Sequence, residues 1–457
     1  MNGSGRGHLC LRGLWIFVAV GLLGLGLPAG RALAHGPCRT VPLPVACSGA
    51  IGNLAYVTAQ GSGFVQGVSP FRFVGTNAYF IFDAASYGSD AHVWEMMHLA
   101  NDLGFTVLRT WGFMNAGVSG NDGTLNQRLL QPLPWVYNDG GAHTNPWTGQ
   151  EYQTVRDEFR HLDYVLATAN THQVKLILTL GNNWKEYGGI DQYLKWCPCG
   201  VSSPQPVHFY THPDCIALYK GYITQVVTRT NSLNGRRYAD DPTIFAWELM
   251  NEPRCQGCDP AVVTAWMADM AAHIKGLGAH QMIATGEEGF DCTKTGVYTA
   301  DGYNDPKNIR WHPWMYDGSQ GLCYTKNTKL PGIDFGSYHM YPESWRLASE
   351  SEGPWITDHI NIATAAGKPT VLGEFGSTRK DRYTRFESWL NAVESSQGAG
   401  ALGWEIMCPI CQNHATRLDV IFPPVTKESG TYCTHANRVN GWIPSAPCSP
   451  TQLYPAQ

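Results

Sequence analysis

The chain has 457 residues, of which 43% are hydrophobic and 15% are charged, and its formal net charge is −5. A chain of this length can bury a large core, in one big domain or in two ordinary ones. The weak acidic charge argues against nucleic acid, a polyanion or an anionic membrane surface as a partner. The 16 Trp and 21 Tyr can supply both a core and a surface that binds a ligand.

Residues 1–34 have the pattern of a secretory signal peptide. Arg6 and Arg12 precede an apolar run at 14–30, and small residues that suit a cleavage site follow it. An uncleaved membrane anchor is the alternative, but the run is short and ends in Pro and Gly. No later stretch reaches the roughly 20 apolar residues of a membrane span. We therefore expect a secreted, extracellular protein, residues 35–457, with no membrane contact after cleavage.

Short apolar runs alternate with longer amphipathic segments along the rest of the chain. The predicted strands are 71–79, 106–113, 175–183, 244–253, 282–289, 334–342, 369–376 and 401–407. The predicted helices are 90–103, 155–172, 214–230, 260–277, 355–366 and 382–397. Alternating strands and helices indicate a parallel sheet, and continuous apolar strands indicate burial on both faces. We predict one α/β domain, a closed eight-stranded (β/α) TIM barrel; an open doubly wound sheet is the alternative.

Thirteen cysteines follow the signal segment. In an oxidising compartment, such cysteines mostly form disulfides. The pairs Cys255-x-x-Cys258 and Cys408-x-x-Cys411 have a spacing that also occurs in zinc sites, but the regular spacing of a zinc ribbon is missing. We therefore favour disulfides and expect no metal and no other cofactor. A C-terminal extension from about residue 408 holds four of the cysteines and is expected to pack on the barrel.

Two of the predicted strands end in a glutamate. FAWELMNEP at 245–253 breaks into Asn251 and Glu252, and PTVLGEFG at 369–376 leads through glycine to Glu374. Burying an ionised carboxylate without a partner is costly, so two such ends need a common explanation. Active sites of TIM barrels lie at the C-terminal ends of the strands. The fourth and seventh strands face each other across that rim, which makes the two glutamates a candidate catalytic pair.

Other acidic residues near the rim can be sorted by depth and direction. Glu248 lies four residues before Glu252 and therefore deeper, where we expect a structural hydrogen-bonding role. Glu287 and Glu288 are adjacent on one strand and must point to opposite faces, so at most one of them faces inward. The direction of Glu405 is left open.

Polar and aromatic residues collect at the same end of the predicted barrel. Arg109 and Trp111 share one face of the second strand, and His339 and Tyr341 share one face of the sixth. Trp404 ends the eighth strand. Each residue alone could be a buried ion partner, a packing residue or a core imidazole. Their common position around two carboxylates predicts a functional site instead.

Several sequence segments together carry a family resemblance. They are RTWGF at 109–113, LGNNWKEYGG at 180–189, DPTIFAWELMNEPRC at 241–255, HMY at 339–341, GEFG at 373–376 and GW at 403–404. In this order the chain resembles glycoside hydrolase family 5, in particular its eukaryote-type endo-β-1,4-mannanases. The NEP triplet is shared among related barrel glycosidases, whereas the longer stretch ending in Cys255 is more specific to the mannanase branch.

The resemblance implies a role for each candidate residue at the reacting bond. Glu252 would be the general acid/base and Glu374 the nucleophile of a retaining glycosidase. Arg109 and Tyr341 would hydrogen-bond the nucleophile, and His339 would fix the acid/base side. Arg109 would lower the pKa of Glu374, whereas burial would raise the pKa of Glu252.

The resemblance also implies residues that bind the sugar chain. Asn251 would hold the 2-hydroxyl, Trp404 would stack under the sugar at the cleavage point, Trp111 would line the donor side, and Arg254 the leaving-group side. Long loops at the catalytic end often carry function. The loops 114–153, 184–212 and 290–333 contain Trp135, Tyr137, Trp147, Trp184, Trp196, Trp311 and Trp314. We expect an open cleft that holds several sugars.

The resulting hypothesis is a secreted retaining endo-glycosidase that hydrolyses internal β-1,4-mannosidic bonds of mannan, glucomannan or galactomannan by double displacement. We expect a monomer whose partner is the β-mannan polysaccharide. We also predict a disulfide between Cys255 and Cys258 that stiffens the turn after the acid/base. The alternatives are another β-1,4-glycanase, such as a cellulase, and a carbohydrate-binding protein without catalysis.

Overall fold

The computed structural model describes residues 54–88, 90–115, 128–197, 200, 202–293, 312–407, 420–421, 427–441 and 448. The predicted signal peptide, Trp311 and the pair Cys408-x-x-Cys411 lie outside the described residues. Among the residues that the structure describes, no helix is both long and apolar enough to cross a membrane.

Eight parallel strands form the central sheet. They are β1 (Phe73–Asn77), β2 (Val107–Trp111), β3 (Lys175–Thr179), β4 (Ile244–Glu248), β5 (Met282–Ala284), β6 (Gly336–Met340), β7 (Thr370–Phe375) and β8 (Gly400–Gly403). Their order is β5-β4-β3-β2-β1-β8-β7-β6, and a parallel bridge between Ala284 and Phe335 joins the two ends. The predicted TIM barrel is therefore confirmed, and the open doubly wound sheet is wrong.

Helices surround the sheet on its outer side. They are α1 (Ile81–Ser86), α2 (Asp90–Asp102), α3 (Phe159–Thr171), α4 (Ile190–Trp196), α5 (Pro206–Thr211), α6 (Pro213–Val227), α7 (Pro260–Gly276), α8 (Tyr324–Asn327), α9 (Pro342–Trp345), α10 (Ser349–Ala365), α11 (Arg382–Ser395) and α12 (Lys427–Val439). All six predicted helices are present. Helix α7 shows why the sequence sets such boundaries: Asp259 caps it by accepting from the backbone N–H of Ala261, and Pro260 occupies the first turn, where its missing N–H costs nothing.

A three-stranded antiparallel sheet that the sequence analysis did not find closes the N-terminal end of the barrel. Its antiparallel strands are Val57–Gln60, Gly63–Gln66 and Ser69–Phe71. The ring of Phe64 lies against Phe245 and Phe335, with ring centroids 5.2 Å and 5.3 Å away. The barrel interior is therefore sealed at this end, and the C-terminal ends of the strands are left for the site.

The described part of the C-terminal segment packs on the barrel through helix α12. Helix α12 lies against α11 and β1, the place where the helix after β8 completes a (β/α) barrel. The side chains of Tyr432, Cys433 and Ala436 are buried there. A disulfide joins Cys433 to Cys448, and two of the other three disulfides in the described residues join Cys197 to Cys215 and Cys292 to Cys323.

Candidate active site

The break after β4 that the sequence showed is a turn fixed on both sides. The backbone N–H of Asn251 donates to Gly181 O at 2.9 Å, and that of Glu252 donates to Gly286 O at 2.8 Å. Glu252 adopts a φ of 50°, a left-handed conformation that costs a non-glycine residue about 1–3 kcal/mol. Gly286 is required opposite this turn, because a Cβ there would lie 2.0 Å from Met250 O. The turn therefore holds Glu252 at the end of β4.

Arg109 is the centre of the site and is fully buried. Its Nη2 donates to Glu248 Oε1 at 2.5 Å and to Asn251 Oδ1 at 2.8 Å. Its Nη1 donates to Glu374 Oε1 at 2.6 Å and to Asn77 Oδ1 at 3.0 Å. One guanidinium thus links β1, β2, β4 and β7, which makes it the main structural tie beneath the two candidate catalytic glutamates.

The carboxylate of Glu374 accepts two short hydrogen bonds. Besides Arg109, Tyr341 donates from its hydroxyl to Oε2 at 2.6 Å. The strand that carries Glu374 is itself held from the side, because Asn77 Nδ2 donates to Gly373 O at 2.9 Å. Glu248, predicted to be structural, pairs with Arg109 and also accepts from Thr179 Oγ1 at 2.8 Å.

The carboxylate of Glu252 has a different set of partners. The indole N–H of Trp184 donates to Oε2 at 2.6 Å, and Nδ1 of His339 lies 2.8 Å from Oε1. The same His339 nitrogen is 3.7 Å from Glu374 Oε2. One oxygen of each glutamate and one ring nitrogen of His339 all lie within 4.8 Å of one another. The two strand-end carboxylates therefore meet across the barrel, as the sequence predicted.

The pKa order of the two glutamates is the reverse of what we expected. Burial raises the pKa of Glu374 above its ordinary value, and His339 and Arg109 do not fully offset it. Burial also acts to raise the pKa of Glu252, but His339, Arg254 and Trp184 outweigh it and hold that pKa below its ordinary value. The sequence argument considered only burial for the pKa of Glu252, whereas three partners stabilise its anion.

His339 interacts with both carboxylates. Burial alone would lower its pKa, but the charges of Glu374 and Glu252, with the hydrogen bond to Glu252, raise it above the ordinary value. A positive charge on this ring would stabilise both neighbouring carboxylates at once. The charge of His339 therefore affects the pKa of both glutamates.

Aromatic rings form one wall of the site. The ring of Trp404 is parallel to that of Tyr79, with centroids 5.3 Å apart and planes 3° from each other. Both side chains are partly exposed. Trp111, expected to line the donor side, is only 4% exposed and packs 6.2 Å from Trp404 between ring centroids. Trp111 thus lies directly beside Trp404, with little of its ring exposed.

A second ion pair lies beside Glu252. Arg254 binds both oxygens of Glu288 at 2.5 Å, and its guanidinium lies 5.3 Å from the ring centroid of Trp184. Glu287 instead accepts from Asn327 Nδ2 at 2.9 Å. The two adjacent acids therefore point in opposite directions, as predicted. Glu405, whose direction was left open, is fully buried.

Cys255 and Cys258 are bonded to each other just after Arg254, as predicted. The backbone N–H of Cys255 donates to Gln320 O at 3.0 Å, and Arg254 Nη1 donates to the Gln320 side chain at 3.2 Å. Because both sulfur atoms are used in the bond, the zinc alternative is wrong for this pair. The bridge closes the turn after Glu252 on itself, and the two hydrogen bonds to Gln320 tie this turn to the loop that follows β5.

A comparison with protein families decides the assignment. The family model described as GH family 5 beta-mannosidase-like matches residues 54–395, three quarters of the chain. The chain belongs to glycoside hydrolase family 5. It is therefore a glycoside hydrolase, and β8 with Trp404 lies just beyond the matched segment.

Named relatives support the same family. A rice protein (Oryza sativa subsp. japonica) named mannan endo-1,4-beta-mannosidase 1 is 32% identical over 413 residues, which are 85% of this chain and 87% of the rice protein. An Aspergillus oryzae protein named probable mannan endo-1,4-beta-mannosidase A is 33% identical over 396 residues, 85% of this chain and 88% of that protein. The solved structure of the endo-1,4-beta-mannanase from Rhizomucor miehei matches with a TM-score of 0.69 at 29% identity, covering 85% of this chain and 100% of that one.

Sequence reasoning missed several residues of this family 5 site. Two of the missed residues, Asn77 and Tyr79, lie at the C-terminal end of β1. A third is Asn182, whose side-chain oxygen accepts from Asn251 Nδ2 at 3.0 Å. The signal was available for Asn182, because it lies within the LGNNW segment that carried the resemblance. For Tyr79 no local signal existed, since its importance comes from the contact with Trp404.

Proposed function

We propose that this glycoside hydrolase is a secreted retaining endo-β-1,4-mannanase that cleaves internal bonds of mannan, glucomannan or galactomannan. The names of the rice and Aspergillus relatives and of the Rhizomucor structure support the reaction and the substrate class. The apolar segment at 14–30 and the four disulfides among the described residues support secretion. We further propose that residues 35–457 form one catalytic domain that works as a monomer.

The distance between the two carboxylates is the observation that supports a retaining mechanism. A retaining glycosidase holds them about 5–5.5 Å apart, whereas an inverting enzyme needs about 6.5–9.5 Å to fit a water molecule. Oxygens of Glu252 and Glu374 lie within 4.8 Å of each other. This separation favours direct attack by one carboxylate on the sugar.

In the proposed reaction, Glu374 attacks the anomeric carbon while Glu252 gives its proton to the glycosidic oxygen. The bond to the leaving sugar breaks, and a covalent ester to Glu374 forms. Glu252 then accepts a proton from water, and the hydroxide releases the ester with retention of configuration. Arg109 and Tyr341 would stabilise Glu374 as the carboxylate that attacks and later departs.

The proton on Glu252 must arrive when the substrate binds, because the unliganded site favours its anion. A sugar ring that covers Glu252 removes the remaining water and raises the pKa of its carboxyl group. His339, whose Nδ1 is 2.8 Å away, is placed to hold the group toward the leaving oxygen. The order of the two pKa values would thus be set in the complex.

Binding roles follow from the same geometry. The side-chain oxygen of Asn251 accepts from Arg109, and its nitrogen donates to Asn182, so the amide is fixed with one N–H left for a sugar 2-hydroxyl. Trp404 would stack under the sugar at the cleavage point. Arg254, already paired with Glu288, would line the leaving-group side through the edge of its guanidinium.

Replacing Tyr341 with Phe should move the acid limb of the pH profile of kcat/KM to higher pH. Glu374 must be ionised to attack, so activity is lost as pH falls through its pKa. The Tyr341 hydrogen bond lowers that pKa, and its removal therefore raises it further. Tyr338→Phe is a matched control, because Tyr338 lies on β6, three residues before Tyr341, but stacks on His359. An unchanged acid limb in the Tyr341 variant would contradict the assignment of Glu374.

Purified protein tests the substrate directly. It should release manno-oligosaccharides of mixed length from mannan, with the β-anomer formed first in proton NMR spectra, because retention produces that anomer. A higher kcat/KM on carboxymethylcellulose than on mannan would support the cellulase alternative. Binding of mannan without hydrolysis would support a non-catalytic protein.

A further inference from the structure

Tyr432 of helix α12 covers the outer side of β7, the strand that carries Glu374. Tyr432 on α12 is fully buried. Its ring stacks on Phe375, with centroids 5.4 Å apart and planes 14° from each other, and contacts Phe386 at 5.6 Å. Phe375 directly follows Glu374 on β7. Because neighbouring side chains on a strand point to opposite faces, the ring lies behind the nucleophile.

The same ring fills the space beside Gly403. A Cβ on Gly403 would lie 2.2 Å from the hydroxyl oxygen of Tyr432 and 2.3 Å from its Cε1, so a larger residue does not fit. Gly403 directly precedes Trp404, whose backbone N–H donates to Phe375 O at 2.7 Å. Tyr432 therefore lies against the ring of Phe375, which follows Glu374, and beside Gly403, which precedes Trp404. The hydrogen bond from Trp404 to Phe375 joins the ends of these two strands.

We propose that Tyr432 is a positioning residue for the hydrolysis. From outside the barrel it fixes the distance between the end of β7 and the end of β8, and so the placement of the attacking carboxylate relative to the aromatic ring under the sugar. This role rests on the proposed function, in which Glu374 attacks and Trp404 stacks. An error of about 1 Å in such placement can reduce the rate about a hundredfold.

Helix α12 is anchored well enough to act in this way. His435 and Arg438 both bind Glu394 on α11, the latter at 2.7 Å. On the other side, Asn440 Nδ2 donates to Gly104 O at 2.6 Å. Contacts to both neighbouring parts of the barrel wall set the position of the helix. The ring of Tyr432 is consequently a fixed support.

Tyr432→Ala should lower kcat/KM on mannan about tenfold to a hundredfold at temperatures well below the midpoint of unfolding. Tyr432→Phe keeps the ring and should stay near the wild-type value. His435→Ala is the matched control, because it weakens the attachment of the same helix through its contact with Glu394 on α11. It should lower Tm and leave kcat/KM unchanged.

A double-mutant cycle between Gly403 and Tyr432 makes the test specific. Gly403→Ala alone forces its methyl group into the ring and should cost more activity than Tyr432→Ala. Adding Tyr432→Ala to Gly403→Ala frees that space, so the double variant should regain part of the lost kcat/KM. Independent, multiplicative losses would overturn the proposal.

Separate measurement of kcat and KM distinguishes a positioning role of Tyr432 from a role in overall stability. A displaced Trp404 should raise KM, and a displaced Glu374 should lower kcat, whereas a purely structural residue changes Tm alone. If the wild-type chain hydrolyses mannan and Tyr432→Ala has the same kcat/KM with a lower Tm, only the positioning role is wrong. If the wild-type chain does not hydrolyse mannan, the proposed function itself is wrong.

Discussion

Glu374→Gln should remove hydrolysis of mannan, with kcat reduced by about 10⁴-fold or more, the scale of losses when a covalent nucleophile is removed. The amide has nearly the shape of the carboxylate but cannot form the ester with the sugar. Reducing-sugar release from mannan measures the loss. Because Arg109 keeps Glu248 as its ionic partner and the amide oxygen can still accept from Arg109, the folded state should remain intact.

A matched control is available in another buried glutamate. Burial raises the pKa of Glu287 to about 8, so at neutral pH this group is largely protonated and resembles glutamine already. Glu287→Gln should therefore retain both stability and hydrolysis. Equal losses in the Glu287 and Glu374 variants would show that any change of a buried acid is harmful, which would remove the support for a nucleophile.

Glu252→Ala should behave differently from Glu374→Gln, because an acid/base is needed only when the leaving group needs a proton. An aryl β-mannoside with a good leaving group should still form the covalent ester in the Glu252 variant, and added azide should speed its breakdown. The Glu374 variant should respond to neither. The opposite pattern would exchange the two assignments.

Most of the barrel was readable from the sequence because its elements have strong local patterns. The core of every predicted strand is present, and α7 begins and ends within one residue of its predicted limits. The positions of Glu252 and Glu374 could also be predicted, because each follows an apolar run and therefore lies at the C-terminal end of a strand. A regular alternation of buried strands and amphipathic helices then allows few topologies.

The elements that were missed depend on distant contacts. Helix α12 contains Gly430 and only a short apolar face, so its sequence favours a helix weakly; packing against the barrel decides the outcome. The three-stranded sheet that closes the barrel consists of strands of four residues or fewer, which are too short for a clear sequence pattern. The burial of Phe64 depends on residues distant in sequence, such as Phe245.

Within the site, residue types were predicted better than electrostatics. The family resemblance implied the contacts of Arg109 and Tyr341 with Glu374, and both are present. The pKa order could not be predicted in this way, because it depends on the sum of several partners at each carboxylate. Trp184 and Arg254 reach Glu252 from separate loops, and no local pattern reveals that both stabilise the same anion.

Arg109→Met should cause the second large effect, a loss of stability together with activity. The side chain is fully buried, and its removal leaves Glu248 and Glu374 without their positive partner. Breaking a buried ion pair on one side costs about 3–5 kcal/mol. Urea unfolding should therefore show a lower free energy of unfolding by about this amount, and hydrolysis should be lost, since the pKa of Glu374 rises further without Arg109.

Arg109→Lys tests whether charge alone is sufficient. A single ammonium group keeps the positive charge but lacks the planar fork that binds Glu248, Glu374 and two asparagines at once. We expect a smaller loss of stability than in Arg109→Met and a large loss of kcat. Wild-type kcat in the lysine variant would mean that geometry around Glu374 matters less than charge.

A second substitution separates folding from catalysis. In Arg109→Met combined with Glu248→Gln, the anion that has no catalytic role is neutralised, so part of the lost free energy of unfolding should return. Hydrolysis should stay absent, because Glu374 still lacks the donor that keeps it ionised and in place. If the double variant recovered both stability and hydrolysis, the buried network would serve folding alone. The proposed effect of Arg109 on Glu374 would then be wrong.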